Sequence, residues 1–278
     1  MEGGHLLRKY HLTRRQFIAG GIGIIGTTFF LYYERYSVAV TEYRVSIANL
    51  PKEFEGFTIL HLTDLHSKRY GREQKTLLDL IHQFSFDMVA LTGDFIDKDN
   101  ADFTAARELI QGLRPKPIFF VSGNHEWRYQ FHIREPLINE GVHVLQNEAY
   151  TYSIGNSHIW IVGVNDPYTH RDDLSKATGR ISDQAPKILL AHAPDILTKA
   201  AGDDIELVLA GHTHGGQIRL PLLGAIYVPG QALFPKYDYG EFQYKNTSMI
   251  INCGLGESTH FPFRFCSRPE IVLVKLVS

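Results

Sequence analysis

The chain has 278 residues, 44% of them hydrophobic and 21% charged, with a formal net charge of −2. That length and composition suit a globular protein that buries its core without disulfide staples. The near-neutral charge excludes the strongly basic balance of a nucleic-acid-binding scaffold. Charge is uneven, however. Residues 1–35 hold five Lys/Arg against two acids, so the remainder keeps 23 basic and 28 acidic residues. A basic head precedes a mildly acidic body. Cys253 and Cys266 could pair in an oxidising compartment, but the expectation is two small buried hydrophobes.

In chain order, the first predicted element is apolar. Residues 17–33 carry no charge. As a helix they span about 25 Å, at the short end for crossing a bilayer. Arg8, Lys9, Arg14 and Arg15 precede them, so the positive-inside rule keeps the N-terminus cytoplasmic and places the body on the extracytoplasmic face of the cell membrane. Thr13-Arg14-Arg15-Gln16-Phe17-Ile18 resembles a twin-arginine export signal. Ser37-Val38-Ala39 offers small residues to a signal peptidase. Residues 38–47, however, read as a first strand that cleavage there would trim. The expectation is an uncleaved anchor over residues 1–35, followed by one domain over residues 36–278.

The body then alternates. Residues 57–62 read as a strand ending in Thr63-Asp64. Residues 73–84 have helical apolar spacing at Leu77, Leu78, Leu80, Ile81 and Phe84. Residues 88–91 form a strand ending in Thr92-Gly93-Asp94, and residues 102–113 a second helix. Residues 118–121 form a third strand, ending in Ser122-Gly123-Asn124-His125. Strand, polar loop and helix in repetition give parallel βαβ units. The second half is richer in strands, at 150–154, 158–164, 188–191, 207–210, 248–252 and 271–277. Gly155-Asn156-Ser157 reads as a hairpin turn. Two stacked sheets with helices outside suit this mixture.

Five polar blocks follow apolar runs, each at the C-terminal end of a predicted strand. They are Asp64-Leu65-His66, Gly93-Asp94, Gly123-Asn124-His125-Glu126, His192, and Gly211-His212-Thr213-His214. Open α/β sheets carry their sites at such strand ends. Singly the blocks say little. Asp-X-His is common in solvated loops, Gly-Asp in turns, and a lone His is more often a hydrogen-bonded core residue. Together they supply carboxylate, imidazole and carboxamide, the donor set for two divalent metals that activate water and clamp a phosphoryl group. His212 and His214 could reach different metals, or one metal and its surroundings.

This order of blocks resembles the calcineurin-like metallophosphoesterase superfamily over about residues 55–278. The resemblance implies an α/β fold, a four-layer α/β/β/α sandwich of two mixed sheets, here preceded by a short N-terminal apolar helix. It implies one metal on Asp64, His66, Asp94 and His214. The second lies on Asp94, Asn124, His192 and His212, with Asp94 bridging. Protein Ser/Thr phosphatases of the superfamily follow Gly-Asp-X-X-Asp with Arg-Gly. Here Lys98-Asp99 follows Asp97, which argues against that class. Gly211–Gln217 running into Ile218-Arg219-Leu220-Pro221, Gly163–Pro167, Gly254–Gly256 and Pro269–Ile271 resemble bacterial membrane-associated or exported members.

The resemblance implies a dinuclear phosphoester hydrolase, acting on mono- or diesters through a metal-bridging hydroxide in line with the leaving oxygen. His125 is the implied general acid for the leaving oxygen or a charge donor to the transition state, and Asp97 could orient it. Imidazole with carboxylate suits Mn, Fe, Zn or Co better than Mg or Ca. Lys68, Arg69, Arg72 and Arg128 are candidate contacts for a phosphoester substrate. Trp127, Tyr129 and Phe131 are candidates to stack on a base or line an acyl-chain groove. Two other readings stand beside this one. The first is a nucleotide-lipid pyrophosphatase resembling the UDP-2,3-diacylglucosamine hydrolases. The second is a non-catalytic metal-binding scaffold on the same fold.

Overall fold

The apolar runs between the polar blocks become strands covered on both faces. A computed structural model describes residues 13–97, 102–128, 132–216, 218–220, 223–228, 233–257 and 264–278. Its strands are β1 (Ala39–Ser46), β2 (Thr58–Leu62), β3 (Met88–Leu91), β4 (Ile118–Phe120), β5 (His143–Val144), β6 (Glu148–Ile154) and β7 (Ser157–Gly163). Then come β8 (Lys187–Leu190), β9 (Leu207–Ala210), β10 (Ile218–Leu220), β11 (Gly224–Tyr227), β12 (Gly240–Tyr244), β13 (Thr247–Ile251) and β14 (Glu270–Val277). The helices are α1 (Arg14–Tyr36), α2 (Lys75–Ile81), α3 (Thr104–Leu113), α4 (Asn124–Arg128), α5 (Arg134–Asn139), α6 (Leu174–Thr178) and α7 (Leu197–Ala200).

One six-stranded sheet runs β1-β14-β2-β3-β4-β5, the other β12-β13-β9-β8-β7-β6, and β10 and β11 form a separate ribbon. Both large sheets are mixed: β2, β3, β4 and β5 are parallel, as are β7, β8, β9 and β13, while β14, β6 and β12 pair antiparallel with their neighbours β2, β7 and β13. Side chains alternate across each sheet. Ile59, Met88, Ala90 and Phe119 meet Ile161, Ile188, Leu190 and Leu209 between the sheets. Leu60, Leu62, Val89 and Leu91 pack under α2 and α3 with Leu77, Ile81, Leu109 and Ile110. Val162, Leu189 and Val208 pack under α6 and α7 with Leu174, Ala177, Leu197 and Ala200. The result is the expected α/β/β/α sandwich.

α1 starts on a reciprocal cap. Thr13 Oγ1 accepts from Gln16 N–H, and Gln16 Oε1 accepts from Thr13 N–H. Its Phe17, Ile22, Ile24 and Ile25 are exposed, and it is long and apolar enough to cross a membrane. β1 pairs with β14 from Ala39 onward.

Several expectations need correction. The helix predicted over 73–84 covers only Lys75–Ile81. Glu73 and Gln74 lie in the left-handed region, where the Gln74 side chain accepts from Tyr70 N–H and donates to Lys68 O. Ser157 pairs with Ile154, so the hairpin turn is Gly155-Asn156 alone. Cys253 is a buried free thiol as expected, but Cys266 is free and exposed.

Candidate metal centre

The C-terminal ends of β2, β3, β4, β8 and β9 meet along one edge, and each delivers a polar block. Backbone bonds stitch the loops together. Asp64 N–H donates to Gly93 O (2.9 Å), His66 N–H to Asp94 O (3.0 Å) and Gly211 N–H to His192 O (2.8 Å). The glycines permit this closeness. Gly93 has φ +91°, and a Cβ there would strike the Gly123 backbone and lie 2.9 Å from His192 Nδ1.

Two triads of donor atoms result. Asp64, His66 and His214 form one, and Asp94, His192 and His212 the other, each with its ligand atoms within 4.8 Å of one another. Asp64 Oδ1 is 3.7 Å from His66 Nε2 and 3.6 Å from His214 Nε2. In the second triad His192 Nε2 lies 3.3 Å from Asp94 Oδ2 and 3.2 Å from His212 Nδ1. Asn124 Oδ1 sits 3.1 Å from the same His192 nitrogen. Asp94 Oδ2 stands between the triads, since it is also 3.9 Å from His66 Nε2. His212 and His214 thus fall in different triads.

The donors are ready for a cation. His192 Nδ1–H donates to Thr92 O (2.7 Å), which turns Nε2 toward the site. Asp64 Oδ1 and His66 Nε2 are buried without a hydrogen-bond partner. A divalent ion held there would supply what these orphaned atoms lack. Burial opposes the Asp64 charge, yet His214, His66 and His192 hold its pKa well below the usual carboxylate range. Asp94 is likewise held low against burial by His192, His125 and His66. Burial pushes the His212 pKa down to about 3 and that of His214 well below its usual value. The donor set therefore fits divalent metal binding.

His125 stands over this pair of triads. Its Nδ1 is 3.4 Å from Asp97 Oδ1 and its Nε2 3.9 Å from Asp94 Oδ2. Burial lowers the His125 pKa, but Asp94 and Asp97 outweigh it and raise the value. Asp97 and His66 form a further triad with His125. The Asp97–His125 contact suits imidazole orientation.

Sequence reasoning gave no role to Glu126, which turns out to brace the site. Its buried carboxylate accepts from the N–H groups of Asp94 (2.9 Å), Phe95 (2.8 Å), Ile96 (3.3 Å) and Gly123 (2.8 Å). Arg264 is fully buried and donates to the carbonyls of Cys253, Gly254, Gly256, Ser267 and His214. Tyr168 lies against His212 with ring centroids 4.5 Å apart. A cue existed for Glu126, the fourth letter of its block, but none for Arg264.

The predicted substrate contacts divide. Lys68 is bound to Glu257 (2.7 Å) and to Arg35 O (2.7 Å). Arg69 pairs with Glu108 (3.0 Å) and Arg72 with Glu73 (3.3 Å). Arg128 remains at the site, 5.7 Å over the Tyr168 ring. Trp127 packs under Arg171. Tyr129, Phe131, Lys98, Asp99, Gln217 and Pro221 lie outside the described residues.

Fold and donor geometry define an α/β domain able to hold divalent metal at its strand ends. Residues 57–216 match the family model for calcineurin-like phosphoesterases, and the chain belongs to that family. The metallophosphoesterase YkuE of Bacillus subtilis is 31% identical over 96% of this chain and 98% of its own length. Phosphodiesterase YaeI of Escherichia coli is 27% identical over 96% of this chain and all of its own. A Danio rerio transmembrane protein with metallophosphoesterase domain is 27% identical over 85% of this chain and 57% of its own length. That relative and the apolar α1 together point to membrane association.

Proposed function

We propose that the chain hydrolyses phosphodiesters, and phosphomonoesters less well, with two divalent ions held by Asp64, His66, Asp94, Asn124, His192, His212 and His214. The observation that carries this reading is Asp94 Oδ2 between the two triads. Bound there, the ions would activate water and offset the charge of the phosphoryl oxygens. Asp94 supplies the shared carboxylate. His125 faces the reacting group through Nε2 and gives a proton to the leaving oxygen, while Asp97 fixes its other nitrogen. The nitrogen-rich set suits Mn, Fe, Zn or Co. The diester preference draws on the name of the Escherichia coli relative.

The Arg14-Arg15 pair and the apolar helix favour a site on the extracytoplasmic face, held at the membrane where α1 stays as an anchor and exported where it is cleaved as a twin-arginine signal. The test is a substrate panel on metal-reconstituted protein: p-nitrophenyl phosphate, its bis-ester and a nucleotide-lipid pyrophosphate. Fastest turnover of the bis-ester supports the proposal. Preference for the pyrophosphate favours the nucleotide-lipid reading. Metal bound without turnover of any member favours the scaffold.

A further inference from the structure

The candidate metal centre and α1 share one edge of the fold. β14 runs antiparallel to β2, with Val272 opposite His61. β1 runs parallel to β14, with Ala39 opposite Glu270. The start of β1 therefore lies at the end of β2 that carries Asp64, two strand spacings or about 10 Å away. Side chains agree. Lys68, two residues after His66, donates to Arg35 O (2.7 Å), and Ser267 N–H donates to the buried Glu34 carboxylate (3.1 Å). The Ser267 hydroxyl in turn donates to His214 O (2.8 Å).

A second observation comes from the ribbon that follows His214. Arg219 N–H donates to Phe265 O (2.9 Å), and Ile218 bridges to Phe265. The Phe265 ring meets the Phe30 ring with centroids 5.6 Å apart. Phe30 lies inside the uncharged run 17–33, about 4.5 Å of helix before its end. The domain thus touches α1 where α1 is already apolar. On the ribbon Leu223, between β10 and β11, and on the segment after it Leu233 and Phe234 are 66%, 65% and 61% exposed. Phe234 N–H donates to Ile226 O (3.1 Å), which ties its segment to β11, and exposed Lys236 follows. Large exposed apolar side chains with a basic neighbour, in a chain whose α1 is long and apolar enough to cross a membrane, suit an interfacial anchor.

We infer that the β10–β11 ribbon dips into the leaflet at which α1 ends, so that the metal centre faces the bilayer and hydrolyses phosphoester headgroups of lipids in that membrane. Water adds across the phosphorus–oxygen ester bond. Its oxygen stays on phosphorus, and the departing headgroup or lipid oxygen takes the proton. The chemistry rests on the phosphoesterase reading above, whereas the membrane placement rests on the length and apolarity of α1 and its contacts with the domain.

The test uses the full chain in phosphatidylcholine vesicles doped with phosphatidic acid, phosphatidylglycerol or CDP-diacylglycerol, beside soluble bis(p-nitrophenyl) phosphate. At least one doped lipid is expected to be hydrolysed. The combined L223D, L233D and F234D variant is expected to lose that activity by at least about tenfold, with soluble-ester turnover unchanged. Hydrolysis of the soluble ester with no doped lipid consumed overturns the inference, as does a variant that keeps the wild-type rate on lipid. Placement is read separately from a nitroxide at Phe234→Cys in a Cys266→Ser background. Access to oxygen with shielding from a nickel chelate supports it, and free access to the chelate overturns it. If no ester at all is turned over, the phosphoesterase reading fails while the label still decides the placement.

Discussion

Five of the seven candidate ligands, Asp64, His66, Asp94, His212 and His214, hold positive φ between 48° and 70°. Aspartate and histidine enter this region more readily than β-branched residues, and such strain gathers at functional sites. Here it turns consecutive blocks inward at the strand ends. The ligand letters were legible in the sequence because each follows an apolar run. Their conformation was not, since it depends on cross-links such as His66 N–H to Asp94 O. Replacing His125 with Ala is expected to lower kcat by about 100- to 10,000-fold with metal content intact. Asp97→Asn is expected to cost less, and steady-state kinetics beside metal analysis check both. Glu126→Gln replaces one acceptor oxygen with a donor amide facing backbone N–H groups. Metal affinity is expected to fall about 10- to 100-fold, measured by titration of the apoprotein. Unchanged affinity would remove Glu126 from the support of the site.

Among the elements, the central strands were the most legible, because burial on both faces writes them as unbroken apolar runs. Met88–Leu91 and Leu207–Ala210 match the sequence reading at both ends. α2 came out shorter because Gln74 hydrogen-bonds locally where the apolar spacing alone continued a helix. The β10–β11 ribbon was invisible, as two strands of three and four residues leave no period to detect. The loops that carry Gly254 and Gly256 depend on Arg264, a residue no motif marks. Its removal leaves several buried carbonyls unpaired. Arg264→Met is expected to destabilise the fold by about 3–5 kcal/mol. Thermal unfolding should show a Tm roughly 10 °C lower. A Tm within a degree or two of wild type would show that the loops hold without it.

For the molecule as a whole, the decisive feature is that five strand ends from two sheets arrive at one edge. Parallel βαβ units set the direction of β2, β3 and β4, and the stacking of the second sheet brings His192, His212 and His214 to the same place. The sequence reading foresaw the edge and the sandwich. Which side of the protein lies against α1 was beyond it, because that depends on the antiparallel return of β14 and on Phe265 against Phe30. The central claim is that this edge holds two ions sharing Asp94. Its most direct test is elemental analysis of the active full-length chain by mass spectrometry, with activity followed as chelated protein is reloaded. Two divalent ions per chain, with activity returning as the second ion binds, is the predicted result. Full activity with a single ion per chain, or with none, would contradict it.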